Sequence, residues 1–183
     1  MAPMAPPEQD HVDRLQAQWA RELPEVDTAG MAIIGRARRI TLALRPGIEA
    51  VFARHELDAG TFDVLTTLRR AGPPYRLRPT ELHSALMVSS GGMTDRLDRL
   101  TRAGLVRRVA DPEDGRSLLV ELTEEGKKLS ARVFREDMAL EREILSGLSA
   151  GERKDLARLL RRFALLVEKR TTPRPPPSGR GDG

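Results

Sequence analysis

The stretch that decides the fold is SSGGMTDRLDRL, which occupies residues 89–100. Four small residues open it, and leucines and arginines then follow at helical spacing. Leu97 and Leu100 share the face that would meet a core, while Arg96 and Arg99 stay on a polar side. This pattern predicts an amphipathic helix that is anchored by leucine and presents small residues and arginine to a partner.

The residues on either side of this stretch predict a helix, a turn and a second helix. Pro79 is suited to the first turn of a helix, so we expect a short helix to begin there. Ser89 offers an N-cap hydroxyl to the next helix, which we expect to run to about Ala103. Gly104 follows as the residue best able to adopt the left-handed conformation that ends a helix.

A change of hydrophobic period after Gly104 predicts a β-hairpin. Residues 105–109 and 118–122 are short β-type runs, and DPEDGR at residues 111–116 is dense in turn formers. A helix, a turn, a helix and then a hairpin make a winged helix-turn-helix. The predicted fold is therefore mainly α with a small β-hairpin wing.

Long amphipathic helices flank this lobe. On the N-terminal side we expect helices over His11–Glu22, Thr28–Leu44 and Ala59–Arg70, with a kink or break at Pro46-Gly47. On the C-terminal side we expect a helix from Thr123 to about Ser146, and a last helix after the capping-box pattern at residues 149–152. Residues 1–8 and 171–183 are rich in Pro and are predicted to be disordered.

The composition excludes several classes of protein. With 183 residues the chain is long enough for one domain with a real core, which we place at residues 9–170. There is no cysteine, which excludes a disulfide framework, a zinc knuckle and a thiol nucleophile. The three histidines lack metal-ligand spacing, and the sequence contains no Gly-rich phosphate loop. We therefore expect no metal, no cofactor and no enzyme activity.

The sequence also lacks the signals of export and membrane insertion. No apolar run approaches the roughly 18 residues that span a bilayer, and the N-terminus does not resemble a signal peptide. We expect a cytoplasmic protein without a membrane partner.

The positive charge is concentrated in the middle of the chain. The formal net charge is only +4, but residues 64–110 hold nine arginines against three acidic residues. The guanidinium fork suits phosphate and guanine edges, so this concentration favours a polyanion as the partner. We predict double-stranded DNA; the alternative is an arginine-rich face that is merely solvated.

The first turn of the predicted recognition helix and the tip of the wing are the candidate DNA contacts. Small residues at a helix N-terminus let backbone amides and hydroxyls approach a phosphate. An arginine at the wing tip is placed to enter a minor groove. The predicted DNA-binding residues are Ser89, Ser90, Gly91, Thr94, Asp95, Arg99 and Arg116.

In these residues the chain resembles the MarR family of bacterial repressors. The resemblance runs from about Val12 to Lys169 and is most specific in RPTELHSALMVSSGGMTDRLDRLTRAGLVRR and in the wing, DPEDGRSLLVELTEEG. It implies a homodimer in which residues 9–56 and 123–170 supply the dimerisation helices and residues 57–122 form the DNA-binding lobe. The apolar stripes of the flanking helices fit this assembly, and an ordinary monomer core is the alternative interpretation.

The N-terminal third, with Trp19 in WARELPEVDTAGMAIIGRARRI, is similar to the branch of the family that responds to urate or trans-aconitate. In that branch a Trp, an Asp and an Arg bind an anionic ligand, and the matching residues here are Trp19, Asp63 and Arg96. The resemblance implies a repressor that leaves a palindromic operator when a small anion binds. The candidate anions are a tricarboxylate, such as trans-aconitate or citrate, and a urate-like purine.

Two departures and several alternatives accompany this resemblance. The recognition helix of the branch reads SGAMTNR where this chain has SGGMTDR, so Gly92 and Asp95 bear on the operator sequence rather than on DNA binding itself. Trp19 would also suit a hydrophobic core, and Asp63 and Arg96 a structural ion pair. A ligand-independent DNA-architectural protein is the alternative function, since it needs only the basic lobe.

Overall fold

The structure is a computed structural model, and it describes residues 9–87, 92–114 and 117–171. Four predicted DNA contacts lie outside the described residues: Ser89, Ser90, Gly91 and Arg116. The two ends predicted to be disordered also lie outside them, apart from Thr171. The chain divides into two compact units, with the boundary between Asp137 and Met138. The single domain expected for residues 9–170 stays a prediction.

Helices make up most of the described chain, as predicted. The first five are α1 (His11–Glu22), α2 (Met31–Ala53), α3 (Ala59–Arg70), α4 (Pro79–Ala85) and α5 (Met93–Arg102). They are followed by α6 (Glu124–Ile144), a short 3-10 helix (Leu145–Gly147) and α7 (Ala150–Thr171). The strands are β1 (Arg76–Leu77), β2 (Val106–Ala110) and β3 (Leu118–Leu122).

Two of the helices begin where their capping residues dictate. Asp10 accepts a hydrogen bond from the backbone N–H of Asp13 at 2.9 Å, and Asp58 accepts one from that of Thr61 at 2.8 Å. Each carboxylate supplies an acceptor that the first turn of a helix lacks. The predicted bounds of α1 and α3 are confirmed at both ends.

Of the kink or break predicted at Pro46-Gly47, the break is wrong, because α2 continues through Pro46 to Ala53. Proline inside a helix costs about 3 kcal/mol, since it removes a backbone hydrogen bond and crowds the preceding turn. The residues beyond it are buried: Val51 is 4% and Phe52 3% exposed, and the Phe52 ring stacks on Phe62 with centroids 4.3 Å apart. Burial of two such side chains contributes roughly 1.5–3 kcal/mol each, which offsets the proline.

Helix α5 begins at Met93, so the prediction that Ser89 caps it is wrong. Gly92 occupies the N-cap position with a φ of +74°, a left-handed conformation that glycine adopts without strain. At this position the glycine avoids the cost that it would carry inside the helix. The far end is as predicted, since α5 ends at Arg102 and Gly104 has a φ of +69°.

The hairpin predicted after α5 is confirmed, and a third strand joins it. β2 pairs antiparallel with β3, from Val106 opposite Leu122 to Ala110 opposite Leu118. β1 pairs with the other edge of β3, which gives the order β1-β3-β2. The two residues of β1 are too few to show an alternating period, which is why the sequence did not predict this strand.

The core of the first unit forms around α3. Its buried apolar residues come from helices α1 to α6 and from strands β2 and β3. Those with 5% or less of their surface exposed include Val64, Leu65, Leu68, Leu82, Leu97, Leu100, Val106, Leu122 and Val133. The leucines of α5 are therefore core anchors, as their spacing predicts.

The start of α6 is fastened to the turn between α5 and β2. The hydroxyl of Thr123 donates to the carbonyl of Gly104 at 2.7 Å and accepts from the N–H of Gly126 at 3.0 Å. Gly126 is buried, and a Cβ there would stand 3.0 Å from the carbonyl carbon of Leu105. Only a residue without a side chain lets α6 lie this close to the Leu105 backbone.

The second unit consists of the end of α6, the 3-10 helix and α7. The predicted capping box is confirmed, since the N–H of Ser149 donates to the Glu152 carboxylate at 2.8 Å and the Glu152 N–H donates to the Ser149 hydroxyl at 3.3 Å. Much of the apolar surface of α7 is exposed: Leu156, Leu159, Leu160, Leu165 and Leu166 are each at least 42% accessible. No helix within the described ranges is long and apolar enough to cross a bilayer.

Candidate DNA-binding and effector sites

Helix α5 divides its side chains between the core and the surface. Leu97 is 5% and Leu100 2% exposed, so both anchor the helix. Thr94 and Asp95, two of the predicted DNA contacts, are exposed in the first turn, and Arg99 is exposed one turn further on. This is the arrangement that a recognition helix needs, with a leucine face on the core and a polar face available to a groove.

Arg99 lies against the N-terminus of α3. Its Nη1 donates to Oδ2 of Asp58 at 2.7 Å, while Oδ1 of the same carboxylate caps α3. Partial burial raises the pKa of Asp58, but hydrogen bonds from Thr61 and Arg99 outweigh this effect, and the pKa is lowered overall. Asp58 therefore stays charged, and it competes with any phosphate for Arg99.

Arg96 lies on the same side of α5, against Gly60 of α3. A Cβ built on Gly60 would stand 2.6 Å from Cζ of Arg96 and 2.9 Å from its Nη2. The guanidinium thus fills the space that a side chain at position 60 would need. Gly60 precedes Asp63 by one helical turn, so Arg96 reaches the face of α3 that carries Asp63.

Asp63 is a buried carboxylate, with 6% of its surface exposed. Its Oδ2 accepts a hydrogen bond from the backbone N–H of Met87 at 2.7 Å, and its Oδ1 accepts one from the hydroxyl of Thr67 at 3.5 Å. Nη1 of Arg70 lies 4.0 Å from Oδ1. Asp63 therefore fixes the backbone that leads from α4 towards α5.

Trp19 lies on α1, and 46% of its surface is exposed. Helix α1 is fastened to α2, because the Arg36 guanidinium bonds Asp10 at 2.7 Å and Asp13 at 2.6 Å. Among the described residues, no hydrogen bond or ring contact joins Trp19 to either of the other two predicted ligand residues. The structure brings those two to one face of α3, and the role of Trp19 stays a prediction.

Arg78, at the start of α4, fixes the residues that lead into the wing tip. Its Nε donates to Oδ2 of Asp111 at 2.7 Å and its Nη2 to Oε2 of Glu113 at 2.8 Å. The hydrogen bond with Asp111, more than that with Glu113, raises the pKa of Arg78. The backbone N–H of Glu113 and then Arg78 lower the pKa of Asp111. Sequence reasoning missed this cluster, because Arg78 and Asp111 are 33 residues apart and no local pattern links them.

A cavity of about 530 Å³ opens beside Arg99. It lies between the loop after α2, the start of α3 and the end of α5, and its lining includes Thr61, Arg99, Arg102 and Leu129. Its wall combines apolar side chains with the cations Arg99 and Arg102 and the carboxylate of Glu56. An occupant of this cavity would touch a predicted DNA contact.

Helices α3, α4 and α5 followed by the β2–β3 hairpin define a winged helix-turn-helix protein. The sequence pattern of the MarR family matches residues 57–118. The HTH-type transcriptional regulator PecS of Dickeya dadantii is 40% identical over 151 residues, which cover 82% of this chain and 91% of PecS. The chain belongs to the MarR family.

Two further comparisons agree with this assignment. The multiple antibiotic resistance protein MarR of Salmonella typhimurium is 34% identical over 109 residues, which cover 59% of this chain and 74% of that protein. The crystal structure of a mutant MarR from E. coli with operator DNA matches with a TM-score of 0.61 at 28% identity, over 75% of this chain and 99% of that one. These relatives are transcriptional regulators, so the chain is a regulator and not an enzyme, and its similarity to PecS supports the PecS-like branch.

Proposed function

We propose that this protein is a homodimeric repressor that binds a palindromic DNA operator and releases it when a small anion binds. The observation that carries the proposal is the position of α5. Its leucines are buried in the core, while Arg96 and Arg99 both lie against α3. One helix thus adjoins the predicted DNA surface and the predicted ligand residues.

The DNA-binding part of the proposal rests on α5 and the wing. Thr94, Asp95 and Arg99 are exposed on α5, and the Arg78–Asp111 ion pair fixes the chain as it enters the wing tip. A relative of this fold, MarR of E. coli, was crystallised with operator DNA. The remaining proposed contacts are those that the sequence predicts at Ser89, Ser90, Gly91 and Arg116.

The effector part of the proposal rests on α3. A carboxylate or urate oxygen of the ligand would pair with Arg96. The negative ligand would also repel the buried Asp63 carboxylate or form a hydrogen bond with it. Because Asp63 bonds the Met87 backbone and Arg96 belongs to α5, a ligand that moves either one repositions the recognition helix. Such a ligand has different affinities for two states, which is the requirement for allosteric release. We propose a tricarboxylate or a urate-like purine, with Trp19 as one wall of the site.

The dimer part of the proposal rests on exposed apolar side chains. Four apolar residues of α2 are 55–61% exposed: Ile33, Ile34, Ile40 and Leu42. The leucines along α7 are also exposed, each by at least 42%. A second copy would remove such surface from water. Light scattering is expected to give twice the chain mass of 20.3 kDa, and Leu159→Glu with Leu166→Glu to give a single chain mass. A monomeric wild type would contradict the dimer.

A mobility-shift titration tests the whole proposal. DNA from upstream of the gene should be bound, and trans-aconitate, citrate or urate should release it. Arg96→Ala is expected to keep DNA binding and lose release, whereas Arg142→Ala, an exposed cation on α6, should behave as the wild type does. If none of the three anions released the wild type, the DNA-architectural alternative would be favoured.

Arg116→Ala tests the wing. Loss of one phosphate contact is expected to weaken operator binding. It should also make the slope of log affinity against log salt concentration shallower by about one. Arg158→Ala, an exposed cation on α7, is the control. Binding and salt dependence that match the wild type would remove Arg116 from the interface.

A further inference from the structure

A second cationic cavity, of about 630 Å³, lies beside the start of α6 and the end of α3. Five of its lining residues are cations, and an aromatic ring lies among them: Arg69, Lys127, Lys128, Arg132, Arg135 and Tyr75. We call it the basal cavity. We propose that it binds a small molecule that carries several phosphates, such as a nucleoside polyphosphate.

Tyr75 orders two of these cations. Nζ of Lys127 lies 4.7 Å and Cζ of Arg69 5.9 Å from the centroid of the tyrosine ring, and both distances allow a cation–π interaction. Nη1 of Arg69 also donates to the backbone carbonyl of Lys127 at 2.7 Å. These contacts place cations from α3 and α6 before a ligand arrives, which lowers the entropy cost of binding.

The nearby carboxylates leave an excess of positive charge in the basal cavity. Glu124, which also lines the basal cavity, bonds Lys127 at 2.8 Å, and Glu125 bonds Lys128 at 2.9 Å. Arg132 and Arg135 have no acidic partner within the described part of the chain. Cations gathered in this way repel one another, and a polyvalent anion relieves that repulsion.

The chemistry of the cations favours a chain of phosphates. Three of the five are arginines, whose planar fork matches phosphate oxygens, and the two lysines add point charges. Arg132 and Arg135 are three residues apart and so share one face of α6. The basal cavity is widely open to solvent, and its volume lies within the range of small-molecule sites.

The basal cavity lies at the opposite end of the hairpin from the wing tip. Leu122 pairs with Val106 at the base of the hairpin, four residues along β3 from Leu118 near the tip. Four residues of a strand span about 13 Å, and the lysines of the basal cavity follow Leu122 within the first turns of α6. A small phosphate compound therefore suits this place better than the duplex that α5 and the wing tip would contact.

Isothermal titration calorimetry at low salt tests this proposal, with inorganic tripolyphosphate as the probe. The wild type is expected to bind it, and Arg132→Gln with Arg135→Gln to bind it about tenfold more weakly, because charge-assisted hydrogen bonds are lost. Both arginines are exposed, so the double variant is expected to fold, and its Tm verifies this. Arg142→Gln, an exposed cation on α6 outside the basal cavity, should bind as the wild type does.

Several results would overturn the proposal. One is a wild type that does not bind tripolyphosphate, and another is a double variant that binds it equally well. A third is an Arg142→Gln variant that loses tripolyphosphate affinity as strongly as the double variant does. A double variant that loses operator DNA as strongly as it loses tripolyphosphate would assign the basal cavity to the DNA interface instead. None of these results bears on Arg96, so the proposed repressor function is tested separately.

Discussion

Arg99 and Asp58 form an ion pair, with Nη1 of Arg99 2.7 Å from Oδ2 of Asp58. The same carboxylate caps α3, so it is fixed in place by Thr61 as well. A predicted DNA contact is therefore already bonded within the chain. In the proposed complex, operator DNA has to compete with Asp58 for Arg99, so the strength of this pair is expected to set part of the affinity.

Asp58→Asn is expected to tighten operator binding by roughly two- to fivefold. An exposed ion pair contributes up to about 1 kcal/mol, and that free energy corresponds to about a fivefold change in affinity. Asparagine still caps α3, but it no longer attracts Arg99 by its charge. Fluorescence anisotropy with an operator fragment measures the change. In an Arg99→Gln background the same substitution should have no effect, and an equal gain in both backgrounds would show that Arg99 is not the residue released.

Gly60→Ala is expected to separate operator binding from effector release. The new Cβ would lie 2.6 Å from Cζ of Arg96, so the flexible arginine has to leave α3. Alanine favours a helix over glycine by about 1 kcal/mol, and the fold should therefore persist. Operator affinity should stay close to that of the wild type, while the anion concentration for half release rises about tenfold, as expected for a lost charge-assisted contact.

The matched control for this substitution is Gly151→Ala. Gly151 is the second residue of α7, as Gly60 is of α3, and the nearest atom to a Cβ there is 4.0 Å away. This variant should release DNA at the same anion concentration as the wild type. If Gly60→Ala did so too, the position of Arg96 against α3 would have no part in effector response.

Arg78→Gln is expected to loosen the wing. Asp111 is 3% exposed, and without the guanidinium its buried carboxylate would keep only backbone partners. Amide hydrogen exchange at residues 111, 113 and 114 should become faster, and operator binding should weaken about tenfold as the wing is less often in place. Arg107→Gln is the control, because its ion pair with Glu121 crosses from β2 to β3 and leaves Asp111 untouched. Unchanged exchange in Arg78→Gln would contradict this role.

Acid is expected to weaken the attachment of α1. The backbone N–H of Asp13, and then Arg36, lower the pKa of Asp10 from 3.8 to about 2. Because folding lowers this pKa, the charged carboxylate stabilises the fold above pH 3.8, and that contribution is lost as the pH falls towards 2. The Tm of the wild type should exceed that of Asp10→Asn near neutral pH, and the difference should shrink in acid. A difference that is independent of pH would contradict the role of Asp10.

The sequence predicted those parts of the fold that rest on local signals. Helices α1 and α3 have the predicted bounds, because a capping carboxylate precedes an apolar stripe in each. The course of α2 through Pro46 was not predictable in this way, since it depends on the burial of Phe52 against α3. The contact of Arg96 with Gly60 likewise joins residues that only the packing of α5 on α3 brings together.

Gly126 limits which sequences this fold accepts. A side chain there would collide with the backbone of Leu105, which belongs to the turn between α5 and β2 and has little freedom to move. Random substitution at position 126, followed by selection for a folded protein, should return glycine, whereas position 30, with nothing within 4 Å of its Cβ, should accept many residues. Glycine at position 126 is therefore a requirement of folding alone, and a regulator with a different operator or effector would need it equally.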